Sequence, residues 1–277
     1  MDEHIIEALG KARIKIQNGE IIEIGEPEID YCPLFYKYRG IETLNKEAIR
    51  ENIEFRIKDF GMCMPNRELK MKDFLSFGIS EIISTLLDDD ILDAAIIVCE
   101  GCGTIVVNDG ELVQGIGGRV SGLVKTTPIL EIISKIGKDN IVDPETADID
   151  QIKGIEIAIS KGYKNIAVTL AFASDIPKLN KLKEDNPDVN IYSFVVHTTG
   201  LNKEDAEELF NNADVMTACA SKHIREIGDK ESLKVVGQSI PIYARTEKGK
   251  EFLERRLDKI GGEKPKKDNP PIPKPLI

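Results

Sequence analysis

Continuous apolar runs that alternate with amphipathic segments constrain the fold of this chain more than any other feature. The runs lack the apolar–polar alternation of a half-exposed strand, so each is predicted to be a strand buried on both faces. Strands of this kind occur in parallel sheets that helices cover on both sides. The runs span residues 93–99, 165–172, 190–197 and, in a shorter form, 213–219.

The segments between these runs have the apolar period of helices. They lie at residues 126–137, 148–161, 175–185, 203–212 and 220–227. A repeated strand–helix order predicts a doubly wound α/β layer with right-handed crossovers. A late strand is expected in SLKVVGQSIPIYA and a last helix in TEKGKEFLERRLDKI. The predicted fold class is therefore α/β, with a mostly parallel sheet flanked by helices, and the α/β domain spans residues 91–260.

The two ends of the chain carry different patterns. Residues 1–90 contain alternating isoleucines on both sides of Asn18-Gly19, which predict a β-hairpin because both turn residues accept a positive φ. Helices are expected from Leu44 to Asp59 and from Met71 to about Leu87. We expect this hairpin and helical segment to pack on the α/β domain. Residues 261–277, with five prolines and four lysines, are expected to form a flexible tail.

The charge balance excludes several classes of partner. The chain has 37 basic and 48 acidic side chains and a net charge of -11, which argues against binding to nucleic acids or to anionic membranes. The N-terminus lacks the basic-then-apolar order of a secretory signal, and no run approaches the roughly 18 apolar residues of a membrane span. We therefore expect a cytoplasmic protein. Disulfides are disfavoured there, so the five cysteines are interpreted as buried thiols, ligands or redox groups.

Three reactive side chains stand at the ends of predicted strands. Cys99, His197 and Cys219 each close an apolar run. In a parallel α/β sheet, ligands bind beyond the carboxyl ends of the strands. The sequence therefore predicts the active face at this edge of the sheet.

The C-x-x-C spacing of Cys99 and Cys102 is the strongest local motif. Two thiolates at this spacing can bind one metal ion, such as zinc, or one edge of an iron–sulfur cluster, and Gly101 permits the tight turn. The same spacing also suits a redox dithiol or a pair of inert buried thiols. Cys32 and Cys63 would complete a four-thiolate set for a [4Fe–4S] cluster, although core packing explains each of them separately.

Two further groups are candidates for catalysis or metal binding. Cys219 and His223 would share one face if residues 220–227 are helical, which suits a Cys–His pair or shared coordination. His197, followed by two threonines, could act as a general acid or base. The simpler alternatives are a packed cysteine with a surface histidine, and a threonine that caps the next helix.

A glycine-rich segment follows the cysteine pair and is a candidate anion site. Bare backbone N–H groups and a helix N-terminus attract negative charge, and basic side chains would add to this attraction. The segment fits neither the P-loop nor the dinucleotide-binding pattern, and its alternative role is simply to let the chain reverse. The candidate cofactor-binding residues are Gly115, Gly117, Gly118, Arg119, Ser121 and Lys125.

The motifs VCEGCGTIVV, GIGGRVSGLVKTTPI, TACASKHIREIG and GQSIPIYARTEKGKEFLERRL resemble the methanogenesis marker protein 8 family. The similarity runs from near residue 12 to about residue 258. It implies an archaeal methanogen source, a cytoplasmic setting and a role in methanogenesis, and it supplies no catalytic residues. Other marker proteins are associated with maturing or activating methyl-coenzyme M reductase, so other methanogenesis maturation proteins are the implied partners.

Two hypotheses of function follow. The first is an accessory protein that binds an iron–sulfur cluster or a metal through Cys99 and Cys102, with Cys219, Cys63 and Cys32 as further ligands. The second is a small-molecule enzyme, a transferase or lyase, that holds an anionic ligand at residues 115–128. In that enzyme Cys99, Cys219 or His197 would supply nucleophilic or acid–base chemistry.

Overall fold

The computed structural model describes residues 2–74, 76–120, 122–265 and 267–277. Its strands are β1 (His4–Glu7), β2 (Arg13–Gln17), β3 (Glu20–Ile24), β4 (Ala94–Cys99), β5 (Gly103–Val107), β6 (Gly122–Lys125), β7 (Asn165–Leu170), β8 (Asn190–Val195), β9 (Val215–Thr217), β10 (Lys234–Val236) and β11 (Ile242–Ala244). Its helices are α1 (Pro33–Arg39), α2 (Lys46–Phe60), α3 (Ile79–Asp88), α4 (Gly110–Gly117), α5 (Leu130–Ile136), α6 (Gln151–Ser160), α7 (Ile176–Asp185), α8 (Lys203–Asn212), α9 (Lys222–Glu231) and α10 (Glu247–Lys259).

A larger sheet forms the centre of the protein, with the strand order β10-β11-β9-β8-β7-β4-β5. The four apolar runs predicted to be strands are β4, β7, β8 and β9, and these four strands run parallel to one another. Helices α6, α7 and α8 precede β7, β8 and β9 in the chain. Their apolar side chains pack with those of α9 in one core cluster against the sheet. The second core cluster joins the sheet to α3, α4, α5 and α10.

The sheet is mixed, which corrects the prediction of a mostly parallel sheet. Antiparallel strands occupy both edges: β5 pairs with β4 on one side, and β11 pairs with β9 and then with β10 on the other. The physical reason is that the connections at these edges are short and a parallel return needs a long crossover. The late strand expected over 232–244 is thus a two-stranded hairpin. The parallel strands β4, β7, β8 and β9 follow one another across the sheet in a single direction, so the sheet is not doubly wound.

A second, antiparallel sheet with the order β3-β2-β1-β6 lies over the carboxyl edge of the larger one. The hairpin predicted at Asn18-Gly19 is confirmed, and both residues have a positive φ, of 49° and 76°. The core beneath this sheet includes Val98 of the central β4 and Ala220, which follows β9. The small sheet therefore covers the edge at which ligands bind in α/β proteins.

The expected boundary at residue 90 is crossed in both directions. Strand β6 lies after this boundary in the chain, yet it pairs with β1. Helix α3 lies before the boundary, yet it packs against α4 and α10 in the core of the central sheet. The helix predicted over 44–59 is confirmed as α2. The helix predicted over 71–87 begins only at Ile79, because Gly78 is its N-cap and Met71 donates a backbone hydrogen bond to Glu111.

The C-terminal residues, expected to form a flexible tail, make backbone hydrogen bonds to the body of the protein. Lys274 forms an isolated antiparallel bridge with Tyr31. The amide of Ile277 donates to the carbonyl of Ala220, and its carbonyl oxygen accepts from the amide of Lys222. These bonds hold residues 274–277 beside Cys219.

Among the helices of the described residues, none combines the length and the hydrophobicity that crossing a bilayer requires.

Candidate functional site

The C-x-x-C motif forms the tight turn of the hairpin between β4 and β5. Cys99 ends β4, and the amide of Cys102 donates to the carbonyl of Cys99 at 3.1 Å. Gly103 has a φ of +71°, and a Cβ there would lie 2.1 Å from the carbonyl oxygen of Asp148, so only glycine fits. The turn therefore places the two thiols next to each other at the carboxyl end of β4.

The two thiols of this turn are fully buried and interact with each other. Their interaction raises the pKa of Cys99 well above its ordinary value, and burial raises it further. Cys63 is also fully buried, and burial raises its pKa. Cys99 and Cys63 both lie within electrostatic range of Glu100 and Arg67. The raised pKa values of Cys99 and Cys63 favour the protonated thiol at both positions, which makes these two poor nucleophiles.

A buried ion pair adjoins the thiols. Arg67 Nε lies 3.6 Å from Glu100 Oε2, and both side chains are 0% exposed. The Arg67 guanidinium also donates to the backbone carbonyls of Glu68 and Gly115 and stacks 4.5 Å from the ring of Phe60. Neither carboxylate oxygen of Glu100 accepts a hydrogen bond from any residue that the structure describes. Buried carboxylates without donors are rare, so this group is unusual.

His4 lies beside the buried group formed by the thiols, Arg67 and Glu100. Its Nδ1 lies 2.6 Å from the hydroxyl of Thr126, and its Nε2 lies 2.6 Å from a carboxylate oxygen of Asp2. Thr126 in turn accepts a hydrogen bond from the amide of Gly101 in the C-x-x-C turn. Burial lowers the pKa of His4, although Asp2 opposes this shift. The contacts connect the small sheet directly to the thiol turn.

A second polar group lies at the other end of β1. His197, just beyond β8, places its Nε2 2.6 Å from a carboxylate oxygen of Glu7. The bond to His197 is the main cause of the lowered pKa of Glu7. Gly122 permits this arrangement, because a Cβ there would lie 2.5 Å from the imidazole. His197 has a φ of 60°, which is uncommon for a residue other than glycine.

Cys219 lies in the sharp connection between β9 and α9. It is half-buried, has a φ of 24°, and is surrounded in the chain by Ala218, Ala220 and Ser221. Cys32 is half-buried before α1 and lies within electrostatic range of Cys219. Helix α9 begins at Lys222, so Cys219 precedes the helix that was expected to align it with His223. The imidazole of His223 instead lies 3.7 Å from Glu226 on the same helix.

The glycine-rich segment is divided between the end of helix α4, a short turn and strand β6. Gly115 and Gly117 belong to α4, and Gly118 is its C-cap. Gly115 is needed for packing, because a Cβ there would lie 2.1 Å from the carbonyl oxygen of Leu69. Arg119 stacks on Phe60 and pairs with Glu68, and Lys125 pairs with Glu3 at 2.8 Å. Ser121 lies outside the described residues.

The predicted ligand set is divided between two places. Cys99 and Cys102 lie together, with Cys63 among the same charged groups, whereas Cys32 and Cys219 neighbour each other at the β9–α9 connection. Across the described ranges, no group of three or more His, Cys, Asp or Glu side chains is arranged to hold a metal ion. This edge of the sheet instead holds two neighbouring thiols, those of Cys99 and Cys102.

Sequence reasoning missed the groups that surround the thiols. Arg67, His4 and Glu7 come from ordinary-looking segments, whereas Glu100 lies inside the C-x-x-C motif but was given no role. The available signal was the position of Glu100 inside the C-x-x-C motif, because an acid between two buried cysteines at a strand end needs a partner. A surface cleft of about 470 Å³ is lined by residues 66–70, Leu112 and Lys135. Arg67 belongs both to this lining and to the buried group around the thiols.

The fold and these groups define a mixed α/β protein with a buried thiol site at the carboxyl edge of its central sheet. The chain belongs to the family described as "Uncharacterized protein conserved in archaea (DUF2099)", whose model matches residues 4–258. It is also similar to "Uncharacterized protein MJ0054" of Methanocaldococcus jannaschii. The two are 43% identical over 285 aligned residues, which cover 100% of each chain.

Proposed function

We propose that this protein is an accessory protein of methanogenic archaea that binds a thiophilic metal ion, or an iron–sulfur cluster, through Cys99 and Cys102. The observation that carries this proposal is the contact between two buried thiols at the carboxyl end of β4. The assignment to methanogens is supported by the similar protein from Methanocaldococcus jannaschii and by the resemblance of four motifs to the marker protein 8 family.

The raised pKa of Cys99 is compatible with metal binding. A metal ion deprotonates the thiols that coordinate it, so the affinity for the ion depends on pH and binding releases protons. A free nucleophile would need a lowered pKa instead. Soft thiolates favour ions such as Cu(I) and Zn²⁺ and iron–sulfur clusters. A cluster needs further thiolates, for which Cys63 is a candidate because it lies among the same charged groups.

In this proposal the protein holds its metal for another component of the methanogenic machinery. The role would be cofactor maturation or the activation of methyl-coenzyme M reductase, and the partners would be other methanogenesis maturation proteins. Burial of the thiols supports storage over rapid catalysis, because the bound ion would be shielded from water and from competing thiols.

Metal content after anaerobic purification tests the proposal. The full chain should contain iron with sulfide, or another thiophilic metal, in a fixed ratio to protein. Cys99→Ser and Cys102→Ser should each remove most of that metal. Cys32→Ser is the matched control and should keep it, because Cys32 lies at the other thiol pair. Metal-free wild-type protein, or metal that survives both substitutions, would contradict the proposal.

The second candidate function is a thiol-dependent transferase or lyase, favoured by the pairing of His197 with Glu7. A histidine oriented by a carboxylate is a typical general base. Cys219 occupies a sharp strand-to-helix turn between small residues, the kind of position in which α/β hydrolases hold their nucleophile. The two segments are neighbours, since the hydroxyl of Thr198 donates to the carbonyl of Thr217 and the amide of Ala220 donates to the hydroxyl of Thr199.

The rate at which Cys219 reacts with iodoacetamide, followed as a function of pH, tests this second candidate. If His197 acts as its base, His197→Gln should slow the reaction near neutral pH, and Glu7→Gln should do so more weakly. His223→Gln is the control and should leave the rate unchanged, because His223 pairs with Glu226 on its own helix. Equal rates in all four proteins would exclude this role for His197.

A further inference from the structure

Residues 273–277 form a strap that lies where α/β proteins bind their ligands. The amide of Ile277 donates to the carbonyl of Ala220 at 3.0 Å, and its carbonyl oxygen accepts from the amide of Lys222 at 2.8 Å. Both partners belong to the connection that follows β9. A Cβ on Gly200, in the loop after β8, would lie 3.4 Å from Cδ1 of Ile277. Ile277 therefore occupies the space between the loops at the carboxyl ends of two parallel strands.

The other end of the strap pairs with the segment before α1. The carbonyl of Lys274 accepts from the amides of Asp30 and Tyr31, at 2.7 and 3.0 Å, and the amide of Lys274 donates to the carbonyl of Tyr31 at 3.0 Å. Pro273 is buried, whereas the side chain of Lys274 is exposed. The strap is therefore held as an extended peptide is held at a sheet edge, by main-chain hydrogen bonds and by apolar side chains that leave the solvent.

The crevice that receives the strap is built by three segments, at residues 30–32, 198–200 and 218–222. Ala220 is 1% exposed and belongs to the core cluster against which Ile277 packs. Cys32 and Cys219 lie in the first and third segments, and both thiols are half-buried. The crevice thus combines free main-chain donors and acceptors with an apolar floor, which is what recognition of an extended peptide requires.

The connector between α10 and the strap lies on the surface. Residues 261–265 and 267–269 are exposed. The side chain of Gln238 forms hydrogen bonds with the carbonyl of Pro265 and with the amide of Lys267. A connector of this kind buries little apolar surface, so the strap can leave the crevice while the core stays folded.

We propose that this crevice binds an extended peptide segment of a partner protein, with proline and large aliphatic side chains like those of the strap, and that the strap occupies the crevice as an intramolecular ligand. The partner and the strap compete for the same main-chain groups. Because the strap is tethered, its effective concentration is high, and the partner binds tightly once the strap is displaced. The crevice is separate from the C-x-x-C turn, so peptide binding does not depend on a metal there.

A synthetic peptide with the sequence of residues 268–277, labelled at its N-terminus with a fluorophore, is the probe. Its anisotropy is measured during titration with full-length protein. Two variants release the strap: Ile277→Asp places a charge among apolar groups, and Lys274→Pro removes the amide that donates to Tyr31. Each should bind the peptide at least tenfold more tightly than wild-type protein does. Lys274→Ala is the matched control and should behave as wild type, because this side chain is exposed.

Alkylation of Cys219 provides a second measurement on the same proteins. In both release variants, iodoacetamide should modify Cys219 at least threefold faster than in wild-type protein, and saturating peptide should restore the slower rate. Cys99, which is fully buried in the core, should stay unmodified throughout and so reports that the variants remain folded.

Three results would overturn the proposal. Equal affinity of the peptide for wild-type protein and for both release variants would place its binding outside the crevice. Labelling of Cys219 that neither release nor added peptide changes would show that the strap does not cover it. A wild-type dimer in gel filtration that Ile277→Asp dissociates would assign the crevice to the strap of a second copy instead of a partner protein.

Discussion

The guanidinium of Arg67 and the carboxylate of Glu100 lie 3.6 Å apart, and neither side chain is exposed to solvent. Arg67 comes from the loop after α2, and Glu100 from the turn between β4 and β5. The pair thus links the N-terminal layer to the thiols of the central sheet. Because burying either charge without the other would be costly, each of the two groups stabilises the other in the interior.

Removal of Arg67 should therefore destabilise the protein strongly. We expect Arg67→Met to lower the free energy of unfolding by about 3–5 kcal/mol, because Glu100 would remain buried without a cation. Urea denaturation followed by circular dichroism measures this change. The double variant Arg67→Met/Glu100→Gln should recover part of the loss. If the double variant is no more stable than Arg67→Met, the uncompensated carboxylate is not the cause.

Two glycines of α4 offer a matched test of packing. Gly115→Ala should destabilise the protein by about 1–3 kcal/mol or more, because its Cβ would lie 2.1 Å from the carbonyl oxygen of Leu69. Gly117→Ala should be nearly neutral, because its Cβ would meet only the Cβ of Ser80, at 3.5 Å. Thermal unfolding of both variants measures the difference. Similar melting temperatures would show that the segment at Leu69 moves aside easily.

The titration of His4 should make stability depend on pH below 6.5. Burial lowers the pKa of His4 from its ordinary value of 6.5, so the unfolded chain takes up a proton at a higher pH than the folded chain does. Protonation therefore favours unfolding, and the free energy of unfolding should fall as the pH drops from 6.5 towards the folded pKa. Urea midpoints across this range measure the slope, which His4→Gln should flatten.

Glu7 provides the contrasting case at lower pH. The bond to His197 lowers the pKa of Glu7 below its ordinary 4.5, so its contribution is present above pH 4.5 and is lost as the pH falls through the folded pKa. Glu7→Gln should remove this acid-side loss and leave the slope due to His4 intact. A single substitution that abolished both slopes would show that the two titrations are not independent.

The five cysteines should react with alkylating reagents in two classes. Cys219 and Cys32 are half-buried and should be modified in the native protein, Cys32 slowly because burial raises its pKa. Cys63, Cys99 and Cys102 are fully buried and should be modified only after unfolding. Mass spectrometry of iodoacetamide-treated peptides distinguishes the classes. Rapid labelling of Cys99 in the native protein would mean that the segments covering the C-x-x-C turn open readily.

Local patterns predicted most of the individual elements. The helix expected over 203–212 is α8 with the same ends, since Asn202 caps it and its apolar residues follow one face. The strand predicted over 190–197 is β8, and the turn at Asn18-Gly19 forms as expected. Predictions failed where an element depends on distant partners. Residues 71–74 and 76–78 were expected to be helical but are not, because Met71 donates a backbone hydrogen bond to Glu111 and the carbonyl of Ser76 accepts from Arg256.

The candidate site was predictable only in part for the same reason. Cys99, His197 and Cys219 were placed at strand ends because the runs before them are recognisable strands, and all three lie at the carboxyl edge. The partners of these residues were not predictable. Glu7 reaches His197, and Arg67 reaches Glu100, across contacts between segments that carry no shared pattern.

The amino-acid sequence by itself determined most of the strands and helices and the position of the thiol turn, because hydrophobic period, capping and turn preference act over a few neighbouring residues. The tertiary structure alone decided the edges and mixed direction of the sheet, the division of the five cysteines between two places, and the burial of a nearly unpaired carboxylate beside two of them. These features depend on contacts between segments that are distant in the chain, and those contacts form only when the layers pack together.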